Sequence, residues 1–321
     1  MEAREESVNE LRSYLRRSRR RIALILKSLF AIVLLWALFQ YVDFENVKHA
    51  LFTAQPGYIA GAALLMIANV GLQVLKWRYF VRLVDPAATN LESAASLLFG
   101  ITLGAVTPGQ VGEFGGRALR HSSIPAGTIV GLTLVDKLQM MCVMGIAGVL
   151  SLTALFPLGR AWGTVIGTTS TVLFLVMFFR IDALRHLRLG LSNSFLQRPT
   201  VRDFFAAVAV FKPLNLVVSF CISVGFYLVI YLQMFLLLNA FSPVEPSDAF
   251  LGFASMMFLK SLLPISLGDL GIREASSVYL YSLMGIGAAT ALNASLLLFA
   301  INIVLPSLIG LVFIPRSRTH D

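Results

Sequence analysis

The sequence predicts an all-α protein: a polytopic membrane helical bundle with an inverted repeat, about six full spans and two re-entrant helical hairpins. Three observations predict this class. Apolar residues make up 57% of the 321 residues and charged residues only 13%, whereas soluble domains average about 25% charged residues. Several uncharged apolar runs are long enough to cross a bilayer. Two similar turn sequences lie between these runs. A water-soluble globule is therefore excluded.

The charge of the chain is strongly positive, with a net value of +9 and a pI near 9.9. Such a charge is also typical of nucleic-acid binding, but most basic residues fall in segments that we assign to one side of the membrane. This is the positive-inside bias that orients helices, so we expect no nucleic acid partner. Cys142 and Cys221 lie in apolar runs, which favours two small buried hydrophobic residues over a disulfide or metal pair.

Residues 1–21 form a basic N-terminal segment with seven arginines, and an apolar run from Ile22 to Phe39 follows. A cleaved signal peptide is the competing interpretation. The run is longer than a usual signal core, and no small-x-small cleavage site follows it. We therefore expect an uncleaved first span with a cytoplasmic N-terminus.

The remaining spans follow from the alternation of apolar runs with basic or acidic flanks. The first return span ends at a basic cytoplasmic flank that contains Lys76, Arg78 and Arg82. A later span delivers the chain to a basic loop, and the last one leads to a cytoplasmic tail at 314–321. The five predicted spans after the first are 57–75, 126–152, 161–179, 214–240 and 288–313.

Two further apolar segments, 92–123 and 248–286, each begin and end on the same side of the membrane in this assignment. The first begins and ends inside, and the second begins and ends outside. Each must therefore enter the membrane and turn back. We predict two re-entrant hairpins of opposite orientation.

The hairpin turns share a sequence pattern in one ungapped register at an offset of 156 positions. Pro108 to Arg117 and Pro264 to Arg273 both read Pro-x-x-x-Gly-acidic-apolar-Gly-x-Arg. Similar turns at two positions of opposite topology predict an inverted repeat with halves 22–152 and 161–313 in a single membrane domain, 22–313. This architecture is common in secondary transporters.

The residue types in these turns suit broken helices. Proline has no amide donor and disfavours helix at the preceding residue, so a half-helix ends there and another begins just after it. Glycine lets the backbone turn tightly. The predicted turn residues are Pro108, Gly109, Gly112 and Gly115 in the first hairpin and Pro264, Ser266, Gly268 and Gly271 in the second.

Charged residues inside the membrane zone are the candidate site. Each costs roughly 2.5 to 3.5 kcal/mol at the centre of a lipid-exposed helix, so they must pair, face water or hold a ligand. Pairing of Glu113 with Arg117, and of Asp269 with Arg273, at i,i+4 spacing is the purely structural alternative. As a headgroup site, the arginines would bind phosphate and the carboxylates would bind an amine. The predicted headgroup residues are Arg117, Arg273, Glu113, Asp269, Glu274, Asp136 and Lys137.

The other motifs in the sequence give little information about function. GxxxG spacings at Gly57, Gly100, Gly127 and Gly163 predict close helix packing. The histidines lack the spacing of metal ligands, and no nucleophile elbow, P-loop or full dinucleotide fingerprint occurs. We expect no metal and no cofactor.

The turn sequences TPGQVGEFGGRALR (Thr107 to Arg120) and LPISLGDLGIREA (Leu263 to Ala275) resemble the signature turns of the lysylphosphatidylglycerol synthase transmembrane family. A well-known member is the flippase-type domain of the bacterial multiple peptide resistance factor. Asp136-Lys137 is similar to an acidic-basic pair of the family, with Lys137 where arginine is expected. Asp269 stands where many relatives carry glycine, so the headgroup can differ.

The resemblance implies a multi-pass protein of the plasma (bacterial inner) membrane that moves a polar lipid, such as an aminoacylated phospholipid or a polyprenyl-linked or hopanoid precursor. Membrane lipids are then its partners, together with a second copy of the chain or lipid-biosynthesis enzymes. The chain ends at Asp321 after the last span, so synthase activity is expected to be absent. An anion or proton-coupled ion pathway is the alternative, and a membrane-embedded enzyme is the weakest reading.

Overall fold

The computed structural model describes residues 44–107, 109–121, 123–156, 160–179, 198–262 and 270–314. Every regular element within these ranges is helical, which confirms the predicted all-α class. The predicted N-terminal segment, the whole of the first span and the end of the tail lie outside the described residues. The helices are α1 (Phe44–Thr53), α2 (Pro56–Arg82), α3 (Asn90–Ala105), α4 (Gly112–Arg120), α5 (Ala126–Leu155), α6 (Arg160–Phe179), α7 (Pro199–Ala209), α8 (Pro213–Phe241), α9 (Pro246–Leu262), α10 (Ile272–Ser282), α11 (Ala288–Phe299) and α12 (Leu305–Gly310).

In the described part of the chain, four helical stretches are long and apolar enough to cross a membrane: α2, α5, α8 and Ala288–Phe313. They coincide with four of the predicted spans. The predicted span at 161–179 is the helix α6. Both α2 and α8 begin at a proline, Pro56 and Pro213. Proline suits the first turn of a helix because an N–H at that position would have no intrahelical acceptor.

The α2 helix extends beyond the predicted end at residue 75 and continues to Arg82. The prediction ended the span at the first basic residue. Lys76 and Trp77 are instead 6% and 1% exposed inside the bundle. Both side chains therefore pack inside the bundle, where Asp136 on another helix compensates the charge of Lys76.

At the positions of the two predicted hairpins, the structure has two pairs of short helices that pack together. The α3 helix begins with a capping box between Thr89 and Glu92 and packs against α4, while α9 packs against α10. With 16 and 9 residues in the first pair and 17 and 11 in the second, each helix is shorter than the 20 or so residues needed to cross a bilayer.

The helix pairs pack across the molecule in a reciprocal way. The α9 helix packs on α5, and α3 packs on α12, which belongs to the last span. A Cβ at Gly148 would lie 2.1 Å from Phe258 Cβ and 3.0 Å from Ala254 O. A Cβ at Gly310 would lie 2.1 Å from Thr102 Oγ1 and 2.4 Å from the carbonyl oxygen of Leu98. Glycine permits both close approaches.

The last span is interrupted by a π-helical turn at Ala300–Val304, just before Pro306. Asn302 in this turn donates to Gln233 Oε1 on α8 at 2.9 Å and accepts from Asn69 Nδ2 on α2 at 3.1 Å. Proline cannot donate an amide to the preceding turn, which favours a local change of helical register. The amide network joins α2, α8 and the last span in the apolar interior.

Two smaller predictions need correction. Both cysteines are free thiols. Cys142 is buried as expected, but Cys221 is exposed. Glycine spacing at Gly127 does mark close packing, because a Cβ there would lie 2.2 Å from Thr200 O. At Gly57 a Cβ would meet nothing within 4 Å. A GxxxG spacing alone therefore does not identify a helix contact in this chain.

Candidate functional site

The turn between α3 and α4 positions the site. Gly109 and Gln110 both adopt left-handed backbone, with φ of 60° and 57°, a conformation that glycine favours. Gly112 has a different role, because a Cβ there would lie 2.2 Å from Leu103 O. Gly115 lies inside α4, where a Cβ would meet nothing within 4 Å, so its predicted role in a tight turn is wrong. Pro108 lies outside the described residues.

The second turn is described only at its end. Pro264, Ser266, Gly268 and Asp269 lie outside the described residues. Gly271 has a φ of 91° and is the N-cap of α10, where its N–H donates to Glu274 Oε2 at 2.7 Å. Although Gly115 and Gly271 match in sequence, they therefore occupy different backbone conformations.

Five charged side chains from α2, α4 and α5 form what we call the cation–carboxylate cluster. Asp136 accepts from Lys76 Nζ at 2.6 Å and from Arg117 Nη1 at 3.0 Å. Glu113 pairs with Arg117 one turn along α4 and with Lys137 of α5. Lys137 Nζ also lies 3.4 Å from Gln110 Oε1 in the turn. The cluster thus connects the hairpin to two spans.

Most of this cluster is buried. Arg117, Glu113 and Lys76 are 1%, 4% and 6% exposed. The side chain of Asp136 is 18% exposed and that of Lys137 is 32% exposed. A ligand would therefore approach the cluster from the Lys137 side.

Aromatic and polar neighbours hold Arg117 in place. Its guanidinium carbon lies 4.3 Å from the ring centre of Trp77, a favourable cation–π geometry. Trp77 Nε1 donates to Ser96 Oγ at 3.2 Å, and Ser96 Oγ donates to the Arg117 carbonyl at 3.2 Å. A Cβ at Gly100 would lie 2.7 Å from Arg117 Cγ. Gly100 therefore leaves space for the stem of this arginine.

The cluster has a formal excess of positive charge. Three cations face two carboxylates, which leaves one positive charge. In addition, Arg117 Nε is buried and has no acceptor among the residues that the structure describes. Buried donors normally have a partner. The arrangement can therefore bind an anion, such as a phosphate oxygen.

Sequence reasoning missed Lys76. It assigned this residue to an interfacial flank, and nothing in the local sequence relates it to Asp136, 60 positions away. Adjacent residues of a helix point about 100° apart, so Asp136 and Lys137 face different neighbours. The structure shows that Lys137 pairs with Glu113, whereas Asp136 pairs with Lys76 and Arg117.

The second half carries a separate pair. Arg273 binds the adjacent Glu274 and donates to Ser295 Oγ at 3.1 Å, with its guanidinium 5.1 Å from the ring centre of Phe299. Arg273 and Glu274 are 4% and 0% exposed. The predicted partner Asp269 lies outside the described residues. The two described charges neutralise each other, unlike those of the cation–carboxylate cluster.

Comparison with known proteins places the chain in a family. The family described as "Lysylphosphatidylglycerol synthase TM region" matches residues 24–310. This chain belongs to that family. It is also 23% identical over 335 aligned positions to a protein named "UPF0104 membrane protein" from Methanothermobacter thermautotrophicus, with 93% of this chain and 94% of the relative covered. The predicted resemblance is thereby confirmed, and the chain is a multi-pass membrane protein.

Proposed function

We propose that this member of the lysylphosphatidylglycerol synthase transmembrane family moves a polar lipid with a phosphate-bearing headgroup between leaflets. The observation that carries the proposal is the cation–carboxylate cluster, with its excess positive charge and the unpartnered Nε of Arg117. Ionised side chains are costly inside a membrane and usually mark a pathway or ligand site. The cluster supplies what a phosphate needs in a region that lipid tails otherwise surround.

The roles within the cluster follow from its geometry. Lys137 is the most exposed of the three cations and makes the first contact with the phosphate, while Arg117 binds it more deeply. Glu113 and Asp136 orient both cations and can receive an amine on the headgroup. Arg273 and Glu274 are the charged pair of the second half in the described residues, and they leave no excess charge.

The reciprocal packing supports an inverted repeat. Ala254 and Phe258, which contact Gly148, stand 156 positions after Leu98 and Thr102, which contact Gly310. This is the offset that relates the two turn motifs. The two hairpin helices, α3 and α9, therefore contact Gly310 and Gly148 through positions that match in this register. Re-entrant hairpins of opposite orientation are the arrangement that such a repeat gives in a membrane.

The same proposal includes the setting of the protein. Its place is the plasma membrane, with cytoplasmic termini as the charge bias indicates, and its partners are membrane lipids. No enzymatic step is part of the proposal. Protein partners, a second copy of the chain or lipid-biosynthesis enzymes, would act on lipid supply rather than in the cluster.

The test is lipid translocation in proteoliposomes with phosphatidylglycerol that carries a fluorescent acyl chain. The variants are Lys137→Gln and Arg117→Gln, and the control is Lys212→Gln, an exposed cation outside the cluster. We expect each cluster variant to slow translocation about tenfold or more, because a charge-assisted hydrogen bond contributes roughly 1.5 to 3 kcal/mol. The control keeps the wild-type rate.

Two outcomes would contradict the proposal. Equal translocation by wild type and both cluster variants, with all proteins monodisperse, would remove the cluster from the pathway. Ion flux across the vesicles without lipid movement would favour the anion or proton pathway instead. Mass spectrometry of co-purifying lipids from wild type and an Arg117→Ala/Arg273→Ala variant identifies the lipid class that the site selects.

A further inference from the structure

A second candidate site lies on the outside of the bundle, between α2 and α3. A groove of about 570 Å³ runs between the two helices. Its residues include Gly71, Leu75 and Arg78 on α2 and Asn90, Leu91 and Ala94 on α3. We call this feature the α2–α3 groove. Its volume falls in the usual range of small-molecule sites, about 300 to 1,000 Å³.

The groove is apolar along its length and carries a cation at one end. Leu75 and Leu91 are 50% and 69% exposed. Gly71 and Arg78 are separated by seven residues, or about 10 Å along a helix. Arg78 Nε is buried and has no acceptor among the described residues. The apolar groove ends at an unpaired guanidinium N–H. It therefore complements a lipid in which an acyl chain is followed by an anionic headgroup.

The first turn of α3 also lines the groove, through Asn90 and Leu91. Glu92 makes no ion pair with Arg78 in the described part of the chain, and its carboxylate accepts from the backbone N–H and the hydroxyl of Thr89 at 3.0 and 2.9 Å. Among the described residues that line the groove, Arg78 is the one with a charged side chain.

We propose that the α2–α3 groove binds one anionic glycerophospholipid, with an acyl chain between Gly71 and Ala94 and the phosphate on Arg78. The site is distinct from the cation–carboxylate cluster, because the cluster residue Lys76 and its neighbour Trp77 are both buried in the bundle. The lipid covers the exposed face of α2. Lipid binding at this groove does not depend on translocation, so it can be tested separately from the proposed function.

The first test measures lipid binding by native mass spectrometry of the full chain in detergent. The probes are dioleoyl-phosphatidylglycerol and, separately, dioleoyl-phosphatidylcholine. We expect wild type to bind one phosphatidylglycerol more tightly than phosphatidylcholine. The Arg78→Gln variant should lose this preference, with about a fivefold drop in affinity for the anionic lipid. The Arg120→Gln variant, which changes an exposed arginine on α4, should keep it.

A matched pair of glycine variants tests the acyl-chain part of the groove. A Cβ at Gly71 or at Gly57 would meet nothing within 4 Å, so a side chain starts in open space at both positions. Gly71→Leu fills the groove and should weaken binding of both lipids, whereas Gly57→Leu, at the other end of α2, should leave binding unchanged. Equal binding by wild type, Gly71→Leu and Arg78→Gln would overturn the proposal.

The occupant is identified by crosslinking from inside the groove. A photoreactive Leu75→benzoylphenylalanine variant in phosphatidylglycerol vesicles should crosslink to lipid. Crosslinks to residues 22–39 or to a second copy of the chain would overturn the proposal, because a protein segment would then cover the groove. An Arg117→Gln variant should keep the lipid crosslink even if it stops translocation, which separates this site from the cluster.

Discussion

At the residue scale, charged residues that are far apart in the chain form ion pairs between helices. Asp136 bridges Lys76 and Arg117, two cations from different helices. Both cations are almost fully buried. Because an unpaired buried charge is far more costly than a paired one, Asp136 is the residue on which the stability of the cation–carboxylate cluster depends most.

The Asp136→Asn variant should therefore be destabilised by about 3 kcal/mol, because it leaves Lys76 and Arg117 without their shared carboxylate. The measurement is the thermal unfolding midpoint in detergent. The control is Asp203→Asn, whose partner Arg202 is 69% exposed and whose loss should cost no more than about 1 kcal/mol. Equal midpoints for the two variants would show that the cluster does not stabilise the fold.

His121, in the connection between α4 and α5, should make stability depend on pH. Burial lowers its pKa below the usual 6.5, against the opposing effect of Glu92 and Asp85 and with help from Arg120. Since the unfolded chain then takes up the proton first, the stabilising contribution is complete above pH 6.5 and is lost as the pH falls below it.

The check is the change in unfolding midpoint between about pH 7.5 and about pH 5.5, where an unperturbed histidine changes charge. The decrease should be larger in wild type than in His121→Gln. A His49→Gln variant, which changes an exposed histidine in α1, should behave like wild type. An identical decrease in all three proteins would contradict the assignment.

At the scale of the elements, the first hairpin depends on two glycines that face each other. A Cβ at Gly116 of α4 would lie 2.8 Å from the Cα of Gly100 on α3. This close approach brings Glu113 and Arg117 against α3. The adjacent Gly115 faces open space. Only one of these neighbouring glycines is therefore required by packing.

This difference gives a matched pair of substitutions. Gly115→Ala should be neutral or should stabilise by up to about 1 kcal/mol, because alanine is the better helix former. Gly116→Ala gains the same propensity, but it should destabilise by about 1 to 3 kcal/mol because α3 and α4 must move apart. Thermal unfolding of both variants is the measurement. A stable Gly116→Ala variant would mean that the two helices do not pack this closely.

At the scale of the whole molecule, each half of the chain has a glycine that packs closely on a helix of the other half. Gly148 packs on the α9 helix of the second half, and Gly310 packs on the α3 helix of the first. The proposed inverted repeat predicts that the connection after the first hairpin and the connection before the second lie on opposite sides of the membrane. The topology can therefore be tested without knowledge of the substrate.

Single cysteines in a variant that lacks Cys142 and Cys221 report the sidedness. Ser123→Cys, between α4 and α5, should react with a membrane-impermeant maleimide only from the cytoplasmic side. Glu245→Cys, between α8 and α9, should react only from the opposite side. Labelling of both positions from one side would contradict the inverted repeat and the assignment of the spans that rests on it.

The sequence by itself determined the class of protein, the position of the long helices and the turn motif that carries Glu113 and Arg117. These are local signals: apolar runs of a given length, prolines at helix starts and charges four residues apart. They could be read directly because the bilayer fixes the length and polarity of a span.

Only the tertiary structure decided which charges meet. In the structure Lys76 pairs with Asp136, and Arg273 pairs with Glu274. Glu113 pairs with Lys137 as well as with Arg117. The structure also distinguished Gly116, which packing requires, from Gly115, which it does not. The physical reason is the same in each case. Burial and pairing depend on which helices lie side by side, and residues far apart in the chain set those contacts through packing rather than through local sequence.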